Sequence, residues 1–366
     1  MQILLVRLRL IGDVVFTTPV IRAIKRRFPS ARLVYVVEPA AAPIVAGNPH
    51  LDEVIVLPQV RGLQRLREDW RAAQRLRRAH FDLAIDLHGG PRSAFLTWAS
   101  RARVRVGYDV PGRSWMYTHV AHRPRTLRGG HSVENQWDLL AAVPGAIAGD
   151  QPDAAFGGAP EPDRDRVEMP VDAAAAGAID RRLRAWQVPG GAPLVVVHVS
   201  AGNPFRRWPE TSFAELTAGL AAGGDDRRVV VTSGPSDRDA ARRVMDAARS
   251  AAPAAANRIL DGEGLSLTEL RALLDRAAVF VGGDSGPLHI AATSDVAVVG
   301  LYGPTLPSRS APWRPRHLAT ISIDAGDLPC RPCDQRVCAP GDFRCLTTIP
   351  AARVRDAAEQ LLAGAR

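Results

Sequence analysis

The run Val279-Phe280-Val281-Gly282-Gly283-Asp284-Ser285-Gly286-Pro287-Leu288-His289-Ile290-Ala291-Ala292 carries the reading of the fold. Its first three residues are β-branched or aromatic with no polar break, as a strand buried on both faces requires. Gly282 and Gly283 allow a tight turn. Pro287 suits the first turn of a helix, where its missing N–H leaves nothing unpaired. A buried strand that passes through a glycine turn into a helix is one unit of a parallel α/β sheet.

The same alternation extends in both directions. Upstream lie short apolar runs at Leu194–Val199, Arg228–Thr232 and Arg258–Leu260, and downstream one at Val296–Leu301. Helical periodicity falls at Ala173–Trp186, Phe213–Ala222, Ala240–Ser250, Leu267–Arg276 and Pro287–Ala292. The first half has its own series: strands at Ile3–Leu8, Leu33–Val37, Val54–Leu57 and Phe81–Leu87, with helices from Val14 to Phe28 and from Gly62 to Ala79. Between about Gly145 and Pro170 the pattern fails in a stretch rich in Gly, Pro, Ala and Asp, which reads as a connection. The prediction is an α/β chain of two Rossmann-like domains, residues 1–170 and 171–366, with parallel sheets facing a central cleft. The amphipathic last helix, Ala351–Leu362, is expected to pack back on the first domain. A length of 366 residues suits two domains at about 100–200 residues each.

Composition bounds the partners. The net charge of +9 favours anionic ligands. Lys25 is the sole lysine among 47 Lys and Arg residues, so part of the charge reflects an arginine-rich coding bias. Aromatics make up 5% of the chain and form no base-stacking signature, which argues against nucleic acid. No stretch reaches the ~18 apolar residues of a membrane span. Arg7 and Arg9 follow the N-terminal apolar run, whereas a signal peptide carries its charge before it. The expected location is the cytoplasm, with membrane contact at most peripheral.

In open parallel sheets ligands bind beyond the carboxyl ends of the strands, so the loops there are the candidates. The first is Leu10-Ile11-Gly12-Asp13, with Asp13 either a helix N-cap or a general base. The second, His198-Val199-Ser200-Ala201-Gly202-Asn203-Pro204-Phe205-Arg206-Arg207-Trp208-Pro209, offers small residues for close approach of a diphosphate and two guanidinium forks. The plain alternative is a solvated basic loop anchored by Trp208. The third, Ser233-Gly234-Pro235-Ser236-Asp237-Arg238-Asp239, places a carboxylate where a ribose is held, or caps a helix. The fourth is the turn Asp284-Ser285-Gly286 with His289 one helical turn on. There the amides of Ser285 and Gly286 suit a phosphate, and Asp284 a sugar hydroxyl or a cation. Leu87-His88-Gly89-Gly90-Pro91-Arg92-Ser93 is a fifth glycine-rich loop, and Arg61, Arg65, Arg67, Arg101, Arg103, Arg113 and Arg128 are further basic candidates whose plain reading is a solvated face. Cys330, Cys333, Cys338 and Cys345 begin as Cys-x2-Cys, compatible with structural zinc, but the Cys-x6-Cys end is loose. A redox-labile pair and plain reduced thiols are the other readings.

Taken in order, these residues resemble the bacterial lipopolysaccharide heptosyltransferases, ADP-heptose-dependent glycosyltransferases of the GT-B fold. The resemblance runs over nearly the whole chain. It is carried by Ile3-Leu4-Leu5-Val6-Arg7, Gly12-Asp13, Thr17-Thr18-Pro19, Arg206-Arg207-Trp208-Pro209, Gly283-Asp284-Ser285-Gly286-Pro287-Leu288-His289-Ile290-Ala291-Ala292 and Leu301-Tyr302-Gly303-Pro304-Thr305. The cysteine cluster also looks like one carried by a subset of the family. The resemblance implies inverting, metal-independent transfer of a heptose to a Kdo or heptose of the lipopolysaccharide inner core, with Asp13 as general base. It implies a donor site in the second domain at Arg206 or Arg207, Asp237 or Asp239, Asp284, Ser285, Gly286 and His289, to which the loop reading adds Ser200 and Gly202; the acceptor is expected in the first domain, at Gly12 and, from the basic glycine-rich loop, His88 and Arg92. Arg206 stands where the family usually has a lysine facing the donor phosphates, which leaves open whether Arg206 or Arg207 takes that role. The rivals are a GT-B transferase of another nucleotide sugar, an epimerase-like hydrolase, and a non-catalytic sugar-nucleotide binder. A dehydrogenase is disfavoured because the first turn lacks Gly-x-Gly-x-x-Gly.

Overall fold

The computed structural model describes residues 1–122, 130–148, 156, 158–199 and 203–364. The chain divides into two compact units, Met1–Pro170 and Val171–Arg366. The first is built on β1 (Gln2–Val6), β2 (Arg32–Val37), β3 (Glu53–Val56), β4 (Leu83–Asp86), β5 (Val104–Tyr108) and β6 (His119–Ala121), all parallel, in the order β3-β2-β1-β4-β5-β6. Ile3, Leu4, Leu5 and Val6 are fully buried. At roughly 1.5–3 kcal/mol for each such side chain, this is the segment least able to move to an edge.

The second unit repeats the plan. Its strands are β7 (Leu194–His198), β8 (Arg228–Thr232), β9 (Ile259–Asp261), β10 (Val279–Gly283), β11 (Ala297–Tyr302) and β12 (Thr320–Asp324), parallel and ordered β9-β8-β7-β10-β11-β12. In both sheets the chain steps outward through three strands, returns to the centre and steps out the other way. Right-handed crossovers then place the helices of the two halves on opposite faces. The loops after β1 and β4, and after β7 and β10, diverge at the reversal and leave a crevice at the carboxyl ends. Register makes them close neighbours: Val6 pairs with Asp86, and Gly282 with His198.

Several elements differ from the sequence expectation. In β5, Arg105 and Gly107 interrupt the apolar run, yet Gly107 is needed because a Cβ there would meet the Tyr117 ring at 2.4 Å. The strands β6 and β12 lie at sheet edges, where a short or polar sequence suffices. The helices Pro91–Ala99 and Ser132–Ala141 were also not anticipated. The last helix, Ala351–Gly364, expected to return to the first domain, packs within the second unit on the helix Glu210–Ala222 and on β10 and β11. Its Val354 and Ala358 are fully buried in that unit's core, and Glu359 pairs with Arg227.

Candidate functional site

In the first unit the site residues gather after β1 and β4. Arg7 leaves β1 with its side chain almost buried. It donates to the Leu87 carbonyl at 2.5 Å and pairs with Asp13 Oδ2 at 2.5 Å. Asp13, in the short helix Ile11–Val15 directly after the buried Gly12, keeps 36% of its side chain exposed. A carboxylate fixed by a buried cation and still accessible has the position and charge that a general base needs. Sequence reasoning passed over Arg7, although a cation ending β1 six residues before an aspartate on the next turn was a readable signal.

Asp86 organises the loop after β4. It accepts from Tyr117 Oη at 2.7 Å, from Ser93 Oγ at 3.0 Å, and from the amides of His88 and Gly89 at 2.9 Å each. Burial pushes its carboxyl group above the usual range, and these four bonds oppose the push. Gly89 turns at φ +70°, where a side chain is strained. His88 stands half-buried in this loop, its Nδ1 3.4 Å from the Leu8 amide. Arg92 does not present its charge to solvent: it ties Glu38, at 2.6 Å, to Asp69, at 2.8 Å. Arg101 and Arg103 precede β5 and so lie at the amino edge of the sheet, away from Asp13. Arg61, Arg65 and Arg67 are exposed at the start of the helix Gly62–Arg78. Arg128 lies outside the described residues.

The second unit assembles a denser group. Asp284, 2% exposed, follows β10. Its Oδ2 is 3.1 Å from Arg206 Nη1 and accepts a short hydrogen bond from Thr305, while Oδ1 lies 3.4 Å from His289 Nε2. Burial alone would raise its pKa, but His289, the Arg206 charge and Thr305 together hold it at about 2. Arg206 also donates to the Asp284 carbonyl at 3.1 Å and through Nε to Gln335 Oε1 at 2.9 Å. The turn can close this tightly because Gly283 has no Cβ, which would sit 3.3 Å from the Arg206 carbonyl.

Two atoms here are buried with no hydrogen-bond partner among the described residues: Asp284 Oδ1 and Ser285 Oγ. Ser285 occupies the N-cap of the helix Gly286–Ala291, yet its hydroxyl caps nothing. Unpaired buried polar atoms are costly, and a ligand that supplies partners relieves the cost.

Asp237 and Asp239 separate. Asp237 is buried and pairs with Arg207 at 2.9 Å. Asp239 is exposed and pairs with Arg242 one helical turn on, so the fold does not bring it to this group. His198, closing β7, is driven down to about 4 by burial, with Asp237 opposing, so it is neutral at physiological pH and supplies no charge for a phosphate. A cavity of about 310 Å³ opens beside the group, lined in part by Arg206, Arg207, Trp208, Asp237, Gly283 and Phe343. Ser200 and Gly202 lie outside the described residues.

Residues 69–341 match the family model of glycosyltransferase family 9 (heptosyltransferase). The chain belongs to this family. It is 28% identical over 364 residues to lipopolysaccharide heptosyltransferase 3 of Escherichia coli, with 97% of each chain covered. Among solved structures, E. coli ADP-heptose lps heptosyltransferase II aligns with a TM-score of 0.77 at 20% identity, over 100% of this chain and 99% of that one. The E. coli heptosyltransferase WaaC with ADP-2-deoxy-2-fluoro heptose aligns with a TM-score of 0.62 at 20% identity, over 100% of both chains. The structural likeness carries the fold, an α/β chain of the GT-B class. The family carries the activity: the chain is a heptosyltransferase of lipopolysaccharide core biosynthesis.

In this heptosyltransferase the four cysteines are free thiols. Among the described residues no three His, Cys, Asp or Glu side chains are arranged to hold a metal ion. Cys345 packs into the core of the second unit, and burial, then the nearby Cys330, raises its thiol to about 11. No helix among the described residues is long and apolar enough to cross a membrane.

Proposed function

We propose that the protein transfers a heptose from ADP-heptose to a Kdo or heptose of the lipopolysaccharide inner core, with inversion at the anomeric carbon. The observation that carries this reading is the group after β10: one carboxylate oxygen, Asp284 Oδ1, and one hydroxyl, Ser285 Oγ, buried with no hydrogen-bond partner among the described residues, beside a cation. In this reading Asp284 Oδ1 accepts a hydroxyl of the donor, and Ser285 Oγ donates to it. Arg206 neutralises the charge that builds on the leaving diphosphate, a preorganised electrostatic role. Asp237, locked to Arg207, is the better placed of the two aspartates for the ribose. In the first unit Asp13 takes the proton of the attacking hydroxyl, and Arg7 holds the carboxylate in place. One displacement then forms the new glycosidic bond and releases ADP.

The test incubates the enzyme with a panel of nucleotide sugars and core acceptors and follows products by mass spectrometry. Transfer should require ADP-heptose, and preference for another nucleotide sugar would replace the donor named here. Asp13→Ala should bind ADP normally and lose most transfer, and substantial retained transfer would remove it as the base.

The acceptor is part of a lipid, so the reading includes peripheral contact at the cytoplasmic face of the inner membrane. Leu63, Leu66 and Trp70 of the helix Gly62–Arg78 support it: they are exposed along one line, opposite the buried Ala72 and Leu76. Exposed Arg67 and Arg77 share their side. Apolar residues between arginines suit an anionic bilayer surface. Cosedimentation with phosphatidylglycerol vesicles should fall for Leu63→Ser/Leu66→Ser/Trp70→Ser, and unchanged binding would exclude this helix.

A further inference from the structure

The cysteine-rich stretch is a motif that the proposed reaction leaves without a task. We infer that Gln335, within it, is a positioning residue that sets the Arg206 guanidinium for the donor's diphosphate. The inference rests on the reading of Arg206 as the diphosphate cation.

Gln335 Oε1 accepts from Arg206 Nε at 2.9 Å and from Asn203 Nδ2 at 2.7 Å, so one oxygen joins two side chains of the loop after β7. The opposite edge of the guanidinium is held by Asp284, through Nη1, at 3.1 Å. Arg206 Nη2 has no protein partner among the described residues, and the side chain is 28% exposed. A planar fork pinned at Nε and Nη1 directs its remaining corner one way. A lysine, the residue the resemblance puts at this position, is a point charge on a flexible stem and needs no such orientation. An arginine here does, and Gln335 supplies the acceptor that fixes it.

The stretch that bears Gln335 is anchored around the same group. The Cys333 amide donates to the Pro304 carbonyl at 3.2 Å. Arg331, its side chain 2% exposed, donates to the Thr305 carbonyl at 3.0 Å and pairs with Asp324 at 3.1 Å. Thr305 is the residue whose hydroxyl bonds Asp284. Farther along, the Phe343 ring meets Phe205, next to Arg206, edge-on at 5.4 Å. Gln335 itself is held at φ +60°, a conformation that non-glycine residues seldom adopt. A loop serving only to cover the surface needs neither a buried arginine nor a left-handed glutamine.

Calorimetric titration with ADP and with adenosine separates the possibilities. The proteins compared are wild type, Gln335→Met, Arg206→Ala and the double variant. Gln335→Met should lower the ratio of ADP to adenosine affinity by about tenfold, in keeping with loss of a hydrogen bond to a charged group, while adenosine affinity stays unchanged. Arg206→Ala should lower the ratio further, and the double variant should fall no lower than Arg206→Ala. If Gln335→Met unfolds the protein, Gln335→Asn, which withdraws the oxygen by one methylene, should give the same loss. An unchanged ratio in the Gln335 variant beside a lowered one in Arg206→Ala overturns the inference alone. A double variant that falls by the product of the two single effects also overturns it. An unchanged ratio in Arg206→Ala overturns the donor reading, and this inference with it.

Discussion

Replacement of Arg206 by methionine should lower the second unit's stability at neutral pH and leave it little changed in acid, because it removes a pH-dependent contribution that the wild type has. Asp284 is almost wholly buried, and its carboxyl is held at about 2 against an ordinary 3.8. That difference corresponds to about 2 kcal/mol of folding stability at neutral pH. Because the folded value is the lower one, the contribution is present in full above 3.8 and is lost as pH falls towards 2. His289, 3.4 Å from Oδ1, opposes burial most, followed by the Arg206 charge, 3.1 Å from Oδ2, and by Thr305. Methionine keeps the aliphatic bulk and removes the charge. At pH 7 the variant should be less stable by about 2 kcal/mol, since a buried carboxylate has lost its cation. For a unit of this size that is a fall in Tm of about 4–8 °C. As pH drops below about 4 the variant's Asp284 protonates, needs no cation, and the gap to wild type should close. Urea unfolding followed by circular dichroism from pH 7 to pH 3 measures this. A gap constant across that range would mean that the loss came from packing, and the electrostatic account of the group would fail.

Three further outcomes follow from the same geometry. Arg7→Leu should lower kcat by roughly 10- to 100-fold through a misplaced base, with ADP affinity unchanged, and an unchanged kcat would show that Asp13 needs no partner. Ser285→Ala removes a buried hydroxyl that bonds to nothing among the described residues. Its Tm should hold or rise slightly while ADP affinity falls about fivefold, and a lower Tm with unaltered affinity would make the hydroxyl structural. Cys345, raised to about 11, stays protonated at pH 8 and should be the last of the four thiols to react with iodoacetamide. Peptide mass spectrometry that finds it alkylated as fast as Cys338 would contradict its burial.

The parallel sheets and their reversals were legible because a strand buried on both faces leaves a run such as Ile3–Val6 or Val195–Val197, which few other structures tolerate. The strands β5, β6 and β12 were not, because edge positions and the Tyr117 contact at Gly107 relax the demand for apolar residues. For the site, position after a strand was enough to name Asp13, Arg206, Asp284, Ser285 and His289 as candidates. Position could not separate Asp237 from Asp239, since one helical turn decides which of two nearby aspartates faces inward. Nor could it reveal that Arg92 is neutralised by Glu38 and Asp69, or that Gln335 reaches Arg206 across 129 residues of chain. Such partners are fixed by tertiary packing and leave no periodic trace.

Both reversals hold an arginine paired with an aspartate, and burial decides what each pair can do. After β1 the arginine is the buried member, at 8%, and the aspartate is open, at 36%. After β10 the order is reversed: the aspartate is at 2% and the arginine at 28%. The buried partner is held by the fold and fixes its mate, and the exposed partner is the one open to a ligand. An open carboxylate accepts protons and repels phosphate, whereas an open guanidinium binds phosphate and has no proton to accept at physiological pH. On the proposed reading, one sheet plan, used twice, yields a base in one unit and an anion site in the other. Exchanging which member of each pair is buried, rather than moving either residue, would be enough to abolish both roles.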